Sequence, residues 1–589
     1  MSTQGIVSSL RPQRMMMTGS PPPKPATRTL LPALATGGML WLCFFPVAWG
    51  WLAWVALAPL LTLVRTAARP RAIYLSAWAS GLVFYWPVLQ WMRVADPSMY
   101  FTWMSLAKYC SLFFPLAIYL LRLLDRRTRL PLILTAPVVW TALEYFRSFF
   151  GTGFPWYLVA HSQHDYLSVI QIADVTGTWG ISFILVAVNA LLCEAFLDWR
   201  TGWRRSRIAL KACLVGALCA LVCGYGAWRI RQTSFEEGPL VALVQGNLPQ
   251  NLRNNPTSEK SVLAHYTELC LVAANHKPGL IVLPESSLQL RWGEYWPDGL
   301  LKDTKTDCRD VARLFRTSTL VGLNTFIRGA DHVERRFNSA VLINRYGEPR
   351  ARYDKIHRVP FGEYVPFRET LPFMNWFSPY DFDYSITSGS GFTRFELEPP
   401  PARDKPVQFG VLICYEDSDP DISRPYAGGD TREPTDFLLN ISNDGWFEGT
   451  SEHEQHLAVC RFRAVECRQP VARAVNMGIS ALIDSNGRVL APQTVGEAPV
   501  NSGVSEEPVN ATIWQVGPDS GNLPTARWQE FKKTAGVILA TVPLDPRKSF
   551  YARFGDWLPI SCWAFLGISL LVAARRRPVS ASRDGNHEA

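Results

Sequence analysis

Apolar runs of about bilayer-crossing length crowd into residues 29 to 230, recur once near 557 to 574, and are absent between. A hydrocarbon layer about 30 Å thick needs roughly 20 apolar residues per crossing helix, so few soluble folds can accept such a pattern. Window hydropathy places about eight spans, at 29–47, 51–64, 72–92, 103–121, 130–147, 179–197, 208–227 and 557–574. The second is short enough to tilt or re-enter. A membrane protein carrying a large water-soluble insert is the expectation, and the 48% hydrophobic content with 22 tryptophans agrees with it.

Arginine sorts the loops. Arg65, Arg69 and Arg71 follow the second span, Arg122, Arg126, Arg127 and Arg129 the fourth, Arg200, Arg204, Arg205 and Arg207 the sixth, and Arg575, Arg576 and Arg577 the last. The alternate loops are nearly bare of positive charge, and the stretch from Ser148 to Thr178 contains no Lys or Arg at all. The positive-inside rule then puts both termini in the cytoplasm and the insert, from about 231 to 556, on the opposite face. In a bacterium that face is periplasmic. The net charge of +9 therefore reads as topology, and no nucleic-acid partner is expected. The domain expectation is a flexible cytoplasmic tail over 1–28, seven spans over 29–230, a periplasmic catalytic domain over 231–550, a connection and eighth span over 551–577, and a cytoplasmic tail over 578–589.

Glu144 and Arg147 lie one helical turn apart near the outer end of the fifth span, where an unpaired charge costs about 2.5–3.5 kcal/mol. Either a mutual ion pair or a lipid headgroup contact answers that cost. The following "GTGFPWYLVAHSQ" puts turn residues and aromatics at interfacial depth, as an aromatic belt or a lipid entrance would.

Within the insert, strand-like runs begin at 239, 279, 318, 338, 407, 436, 480 and 536, several with continuous Val/Ile/Leu cores. Strands covered on both faces read this way. Helical stretches near 258–275, 304–316 and 451–468 separate some of them, which predicts a layered α/β domain with its polar chemistry at strand ends. From 492 to 534 the composition turns to Pro, Gly, Ser, Thr, Asn and acid, and an exposed excursion is expected there.

No G-x-S-x-G elbow and no Gly-Lys dipeptide occurs. "EHEQH" spaces His453 and His456 by three instead of four, so neither a zincin helix nor any other metal site is expected. Three strand-end signatures remain: "LPES" with Glu285, "YDKIHRVPFGEYVPF" with Lys355 and Glu363, and "ICYED" with Cys414. Alone, Cys414 reads as a small buried hydrophobe. A carboxylate, an ammonium and a thiol brought together form a machine for attacking an acyl carbon: the ammonium favours thiolate and oxyanion, and the carboxylate moves the proton. No cofactor is needed.

Taken in order, "VQGNLPQN", "LPES", "YDKIHRVPFGEYVPF", "ICYED", "NISNDGWF" and "RAVECRQPVARAVNMGISALIDSNG" resemble the carbon-nitrogen hydrolase, or nitrilase, superfamily. The flanking spans, "FPWYLVAHSQ" and "VPLDPRKSFYARFGDW" make the chain similar to the apolipoprotein N-acyltransferases within it. The resemblance implies a multi-pass α-helical membrane domain joined to a nitrilase-like α-β-β-α sandwich at the bacterial inner membrane. It implies acyl transfer from a phospholipid, typically phosphatidylethanolamine, through a cysteine thioester to the α-amino group of a diacylglyceryl-cysteine, by a monomer. By motif, Glu285 would be the base, Lys355 the oxyanion and thiolate stabiliser, Cys414 the nucleophile, Glu363 an accessory glutamate, and Tyr415 and Glu416 adjoining essential positions.

Asn443, Asp444 and Trp446 would line the pocket or form a structural turn. Arg463, Glu466, Asn476 and Ser480 are expected to brace strand ends, and Cys270, Cys308, Cys460 and Cys467 share the oxidising side with Cys414, where a disulfide among them can form. Aromatic-rich 371–384 is a candidate arm dipping towards the bilayer, and 286–306 is where substrate loops are expected. Two other functions stand beside the acyltransferase: a membrane-tethered amidase or nitrilase, and an inactive scaffold that binds lipoproteins.

Overall fold

The computed structural model describes residues 27–575, apart from 98, 202–204, 254, 289–290, 293–307, 329–332, 379–382, 401–402, 431, 502 and 505–507. Both terminal tails and most of 286–306 lie outside the described residues, as do the side chains of Arg204, Arg205, Arg207 and Cys308.

Four described helices are long and apolar enough to cross a membrane: Met99–Arg127, Thr178–Trp199, Ile208–Arg231 and Trp557–Arg575. Thr27–Leu42, Pro70–Val88 and Leu132–Phe149 are also helical. The stretch read as a second span is instead broken into short pieces over Gly50–Val64. Those pieces are tied by side chains from elsewhere: Asn189 Oδ1 accepts the N–H groups of Leu57 and Ala58 at 2.8 and 2.9 Å. Backbone donors freed from a helix need such partners in an apolar setting.

Glu144 and Arg147 form neither a mutual pair nor an exposed site. Glu144 Oε1 accepts Trp140 Nε1 at 3.0 Å and Val159 N at 2.8 Å, while Arg147 donates to the carbonyls of Phe154 and Trp156 at 3.1 and 2.9 Å. Both charges pin the loop 154–159 to the helix that carries them.

The insert contains two sheets. In chain order the strands are β1 Glu236–Gln245, β2 Leu280–Val282, β3 Arg291–Trp292, β4 Ser318–Arg328, β5 Glu334–Ile343, β6 Pro349–Asp354, β7 Phe395–Leu397, β8 Val407–Ile413, β9 Phe437–Ser442, β10 Val471–Val475, β11 Ala481–Ile483, β12 Gln493–Val500, β13 Val509–Val516 and β14 Gly536–Leu544. One sheet runs β12-β13-β14-β1-β2-β4-β5-β6, with β3 beside β4; the other runs β11-β10-β9-β8-β7. Alternation along β1 shows how they stack: Val241 and Leu243 share a core with Val411, Ile413, Leu439 and Ile441, whereas Ala242 and Val244 pack with Val262, Tyr266 and Leu269 of the helix Glu259–Ala274. On the far side of the smaller sheet, every residue of the helix Glu452–Cys467 is buried. Its Leu457 and Ala458 face the sheet core, and its Phe462 and Val465 join the core of the membrane helices. The layers are therefore helix, sheet, sheet, helix.

The polar stretch 492–534 is not a loose excursion. β12 and β13 extend the larger sheet, with Thr512 to Val516 parallel to β14. Its helical turn Thr525–Phe531 buries Trp528 against Phe45 of the membrane half, ring centroids 5.9 Å apart. β12 lies at the sheet edge and is mostly exposed, so the average polarity of the stretch hides strands. Cys270, Cys460 and Cys467 are free buried thiols rather than disulfide partners.

Candidate active site

Glu285 follows β2, Lys355 follows β6 and Cys414 follows β8, so strand order in the two facing sheets brings three separate motifs to one place. Gly322 of β4 lets the first approach. A Cβ there would clash with Pro284 O and meet Glu285 Cα at 2.9 Å, so only glycine admits the backbone that carries Glu285.

Lys355 is buried, with its Nζ 2.8 Å from Glu363 Oε1 and 3.4 Å from Glu285 Oε1. Asn338 Nδ2 donates to both acids, at 2.7 Å to Glu285 Oε1 and 3.3 Å to Glu363 Oε1. The other oxygen of Glu285 accepts the backbone N–H of Asn443 at 3.1 Å, and that of Glu363 accepts Val359 N at 2.7 Å. Burial opposes the ammonium of Lys355, but Glu363 and Glu285 outweigh it and hold its pKa well above the ordinary amine value.

Cys414 opens the 3-10 turn Cys414–Ser418 in the left-handed region, φ +54°. A non-glycine residue there stores about 1–3 kcal/mol of strain, held in place by the surroundings. Glu416 supplies much of that hold: it accepts Ile413 N and Ile356 N at 2.7 Å each, His357 N at 3.0 Å and the Tyr353 hydroxyl at 2.9 Å. It thereby staples the nucleophile turn to the end of the strand that carries Lys355. Burial raises the Glu416 carboxyl to about 7, against the pull of its backbone donors. Desolvation also pushes the Cys414 thiol well up, Glu285 adds to it, and Lys355 recovers only part. The ammonium favours the thiolate as its motif implies, but burial and the Glu285 carboxylate outweigh it.

Tyr415 turns towards the membrane half. Its ring stacks on Trp156 at 6.0 Å and meets His357 edge-on at 5.3 Å. Trp446 lines a cleft of about 590 Å³ with Val94 and Ala95 from the membrane half and Gln250 and Leu252 from the insert. Gln250 accepts Asn443 Nδ2 at 2.9 Å, which puts the cleft one residue from Glu285. Asp444 is buried away from it. The exposed residues Leu371, Phe373 and Trp376, the last 83% accessible, form a projecting aromatic turn over Pro372–Phe377; 379–382 lie outside the described residues.

The bracing residues do brace. Glu466 pairs with Arg463 at 3.0 Å and accepts Thr178 N at 2.7 Å; Asn476 Nδ2 donates to Asn443 Oδ1 at 2.9 Å; Ser480 Oγ accepts Val475 N at 3.0 Å. Among the described residues, Asp444, Glu452 and His456 bring potential metal-ligand atoms within 4.8 Å of one another. The Arg473 guanidinium already lies 2.8 Å from Asp444 Oδ2 and 3.0 Å from His456 Nδ1, so that set is neutralised by a side chain. Sequence reasoning missed Asn338, Gln250 and Arg473; the last two lie within the quoted "VQGNLPQN" and "RAVECRQPVARAVNMGISALIDSNG", but nothing local marks them among their neighbours.

The apolipoprotein N-acyltransferase N-terminal domain model matches residues 36–191, and the carbon-nitrogen hydrolase model matches 240–499. An apolipoprotein N-acyltransferase of Geobacter metallireducens is 30% identical over 568 residues, covering 94% of this chain and 96% of that protein. The chain belongs to the apolipoprotein N-acyltransferase family. Proteins of the same name from Rhodopseudomonas palustris and Chlorobaculum tepidum are 31% and 28% identical over 478 and 554 residues, covering 77% and 89% of this chain and 84% and 92% of theirs. In this family member the two matched regions meet at the site, through the ring stack of Trp156 on Tyr415 and the edge-on contact of Trp91 with Phe447 at 4.6 Å.

Proposed function

We propose that this chain is an N-acyltransferase that moves a fatty acyl group from a membrane phospholipid, through a thioester on Cys414, to the α-amino group of a diacylglyceryl-cysteine at a lipoprotein N-terminus. The observation that carries the reading is the convergence of Glu285, Lys355 and Cys414 beside a cleft walled by both the membrane half and the insert.

The raised thiol means that Cys414 rests protonated, so attack needs a base in the same step. Glu285 takes the Sγ proton as sulfur bonds to the ester carbon. Lys355 stays charged beside Glu363 and Glu285, and its ammonium steadies the oxyanion. When the intermediate collapses, the ester C–O bond breaks and Glu285 returns the proton to the departing lysophospholipid oxygen. The acceptor amine then attacks the thioester, Glu285 receives its proton, and the C–S bond breaks to restore the thiol and release an amide. Keeping acyl chains among membrane helices excludes water and favours aminolysis over hydrolysis.

The finer reading assigns eight membrane passages, with the broken Gly50–Val64 stretch as a re-entrant second, both termini cytoplasmic and the 231–550 domain periplasmic at the inner membrane. The arginine loops support it. Phosphatidylethanolamine as donor, a monomeric state, and 371–384 as a bilayer-dipping arm complete it; the exposed Trp376 and Phe373 support the last.

The test is purified protein with phospholipid vesicles and a synthetic diacylated lipopeptide, read by mass spectrometry. A gain of one acyl group on the peptide amine is expected. Free fatty acid with an unmodified peptide would favour a hydrolase and overturn the reading.

A further inference from the structure

Behind the nucleophile turn lies a buried knot of charge that the proposed chemistry does not use. Arg473, on β10, donates from Nη1 to Asp417 Oδ2 at 2.8 Å and also to Asn440 Oδ1; its Nη2 donates to Asp444 Oδ2 at 2.8 Å. His456 joins the same two carboxylates, with Nε2 2.9 Å from Asp417 Oδ1 and Nδ1 3.0 Å from Asp444 Oδ1. All four charged side chains are essentially inaccessible. Burial and Arg473, whose Nη2 lies 3.0 Å from Nδ1, both act against an imidazolium, yet Asp417 and Asp444 lift His456 to about 10; Glu452, with Oε1 3.5 Å from the same Nδ1, has its carboxyl pushed well up by burial and by Asp444.

The two carboxylates belong to different working turns. Asp417 is the fourth residue of the turn that opens with Cys414. Asp444 follows Asn443, whose N–H holds Glu285 Oε2 at 3.1 Å. Asn440, the third partner of the guanidinium, donates to the carbonyls of Leu412 and Cys414 at 3.3 Å each. One planar fork thus touches both turns and the residue that steadies the strand end. A lysine, with a single point charge, cannot span two carboxylates in this way.

We propose that Arg473 is a positioning residue for acyl transfer: by gripping Asp417 and Asp444 in one guanidinium it fixes the Cys414 turn against the turn that binds Glu285. The inference rests on the proposed roles of Cys414 and Glu285. Displacements of about 1 Å far from the reacting atoms can cost about 10²-fold in rate, which is the scale such a strut controls.

The experiment compares full-length wild type, Arg473→Gln, Arg473→Lys and Asp417→Asn, each purified and checked for thermal unfolding. Readouts are kcat and KM with phospholipid and diacylated lipopeptide, and the pH dependence of Cys414 alkylation by iodoacetamide. Folded Arg473→Gln is expected to lose about 10²-fold in kcat at unchanged KM. Its alkylation midpoint should rise, because Asp417 and Asp444 lose their counter-charge while Glu285, Lys355, Asp444 and Ser442 still face the sulfur. Arg473→Lys should recover part of kcat. Asp417→Asn should lower kcat as well but move the midpoint down, and it carries the comparison if Arg473→Gln does not fold. A rate per folded molecule and an alkylation midpoint equal to wild type in these variants, even with lowered stability, would overturn the inference and leave a structural role. Absence of any acyl adduct on Cys414 in wild type would instead overturn the reading on which it stands.

Discussion

Lys355 makes its shorter ion pair, 2.8 Å, with Glu363 rather than with Glu285, whose nearer oxygen stands 3.4 Å away. The closer acid balances the charge of the ammonium, while Glu285 Oε2, which accepts the backbone N–H of Asn443, keeps a lone pair for a proton. Glu363→Gln should therefore draw Lys355 onto Glu285 and disable the base, lowering kcat by about 10²-fold with little change in KM. Steady-state kinetics with phospholipid and lipopeptide check this; a change confined to KM would assign Glu363 to substrate binding.

Cys414→Ser should fold as wild type does, since the side chains are nearly isosteric, yet keep under about a hundredth of the activity because an alkoxide is far harder to generate than a thiolate. Thermal unfolding and turnover measured on one preparation decide it. Turnover near wild type would remove Cys414 from the chemistry.

Alkylation reports the resting state of that sulfur. With the thiol pushed above its ordinary range by burial and Glu285, the thiolate fraction at pH 7 is below that of a free cysteine and grows as pH rises through the elevated pKa. Iodoacetamide should thus react more slowly than with free cysteine at pH 7 and faster in alkaline buffer. Lys355→Met should push the midpoint higher still. Rapid labelling at neutral pH would indicate a preformed thiolate and a different division of labour between Glu285 and Lys355.

The glycine beneath the base offers a test that touches no reactive group. Gly322→Ala places a methyl against Pro284 O and Glu285 Cα, and overpacking of this kind costs about 1–3 kcal/mol. The variant should show a modest drop in thermal stability and a larger loss of kcat as Glu285 shifts. Unchanged kcat would show that the strand end relaxes without moving the carboxylate.

Much of this organisation is visible in the chain itself. The long apolar runs with arginine between them, and the β-branched strands such as β1 and β9 with both faces covered, follow directly from burial requirements. Glu285 and Cys414 stand out because each follows such a strand, β2 or β8, whereas Lys355 follows the polar, half-exposed β6 and is marked by its motif alone. Other features hide for physical reasons. β12 is an exposed edge strand, so its polarity mimics a loop. The Gly50–Val64 stretch is apolar enough for a span, but its shape is set by the distant Asn189. Asn338 and Arg473 act through three-dimensional neighbours, and no local spacing signals a side chain that serves two remote turns. Lys355 favours the thiolate as its motif implies, but no local signal shows that desolvation and Glu285 outweigh it at Cys414.

The most direct measurement is intact-protein mass spectrometry of purified protein incubated with phospholipid and no acceptor. A mass gain of one fatty acyl group, mapped by proteolysis to Cys414 and discharged when diacylated lipopeptide is added, is the predicted result. No adduct, or an adduct that persists in Cys414→Ala, would contradict the thioester route.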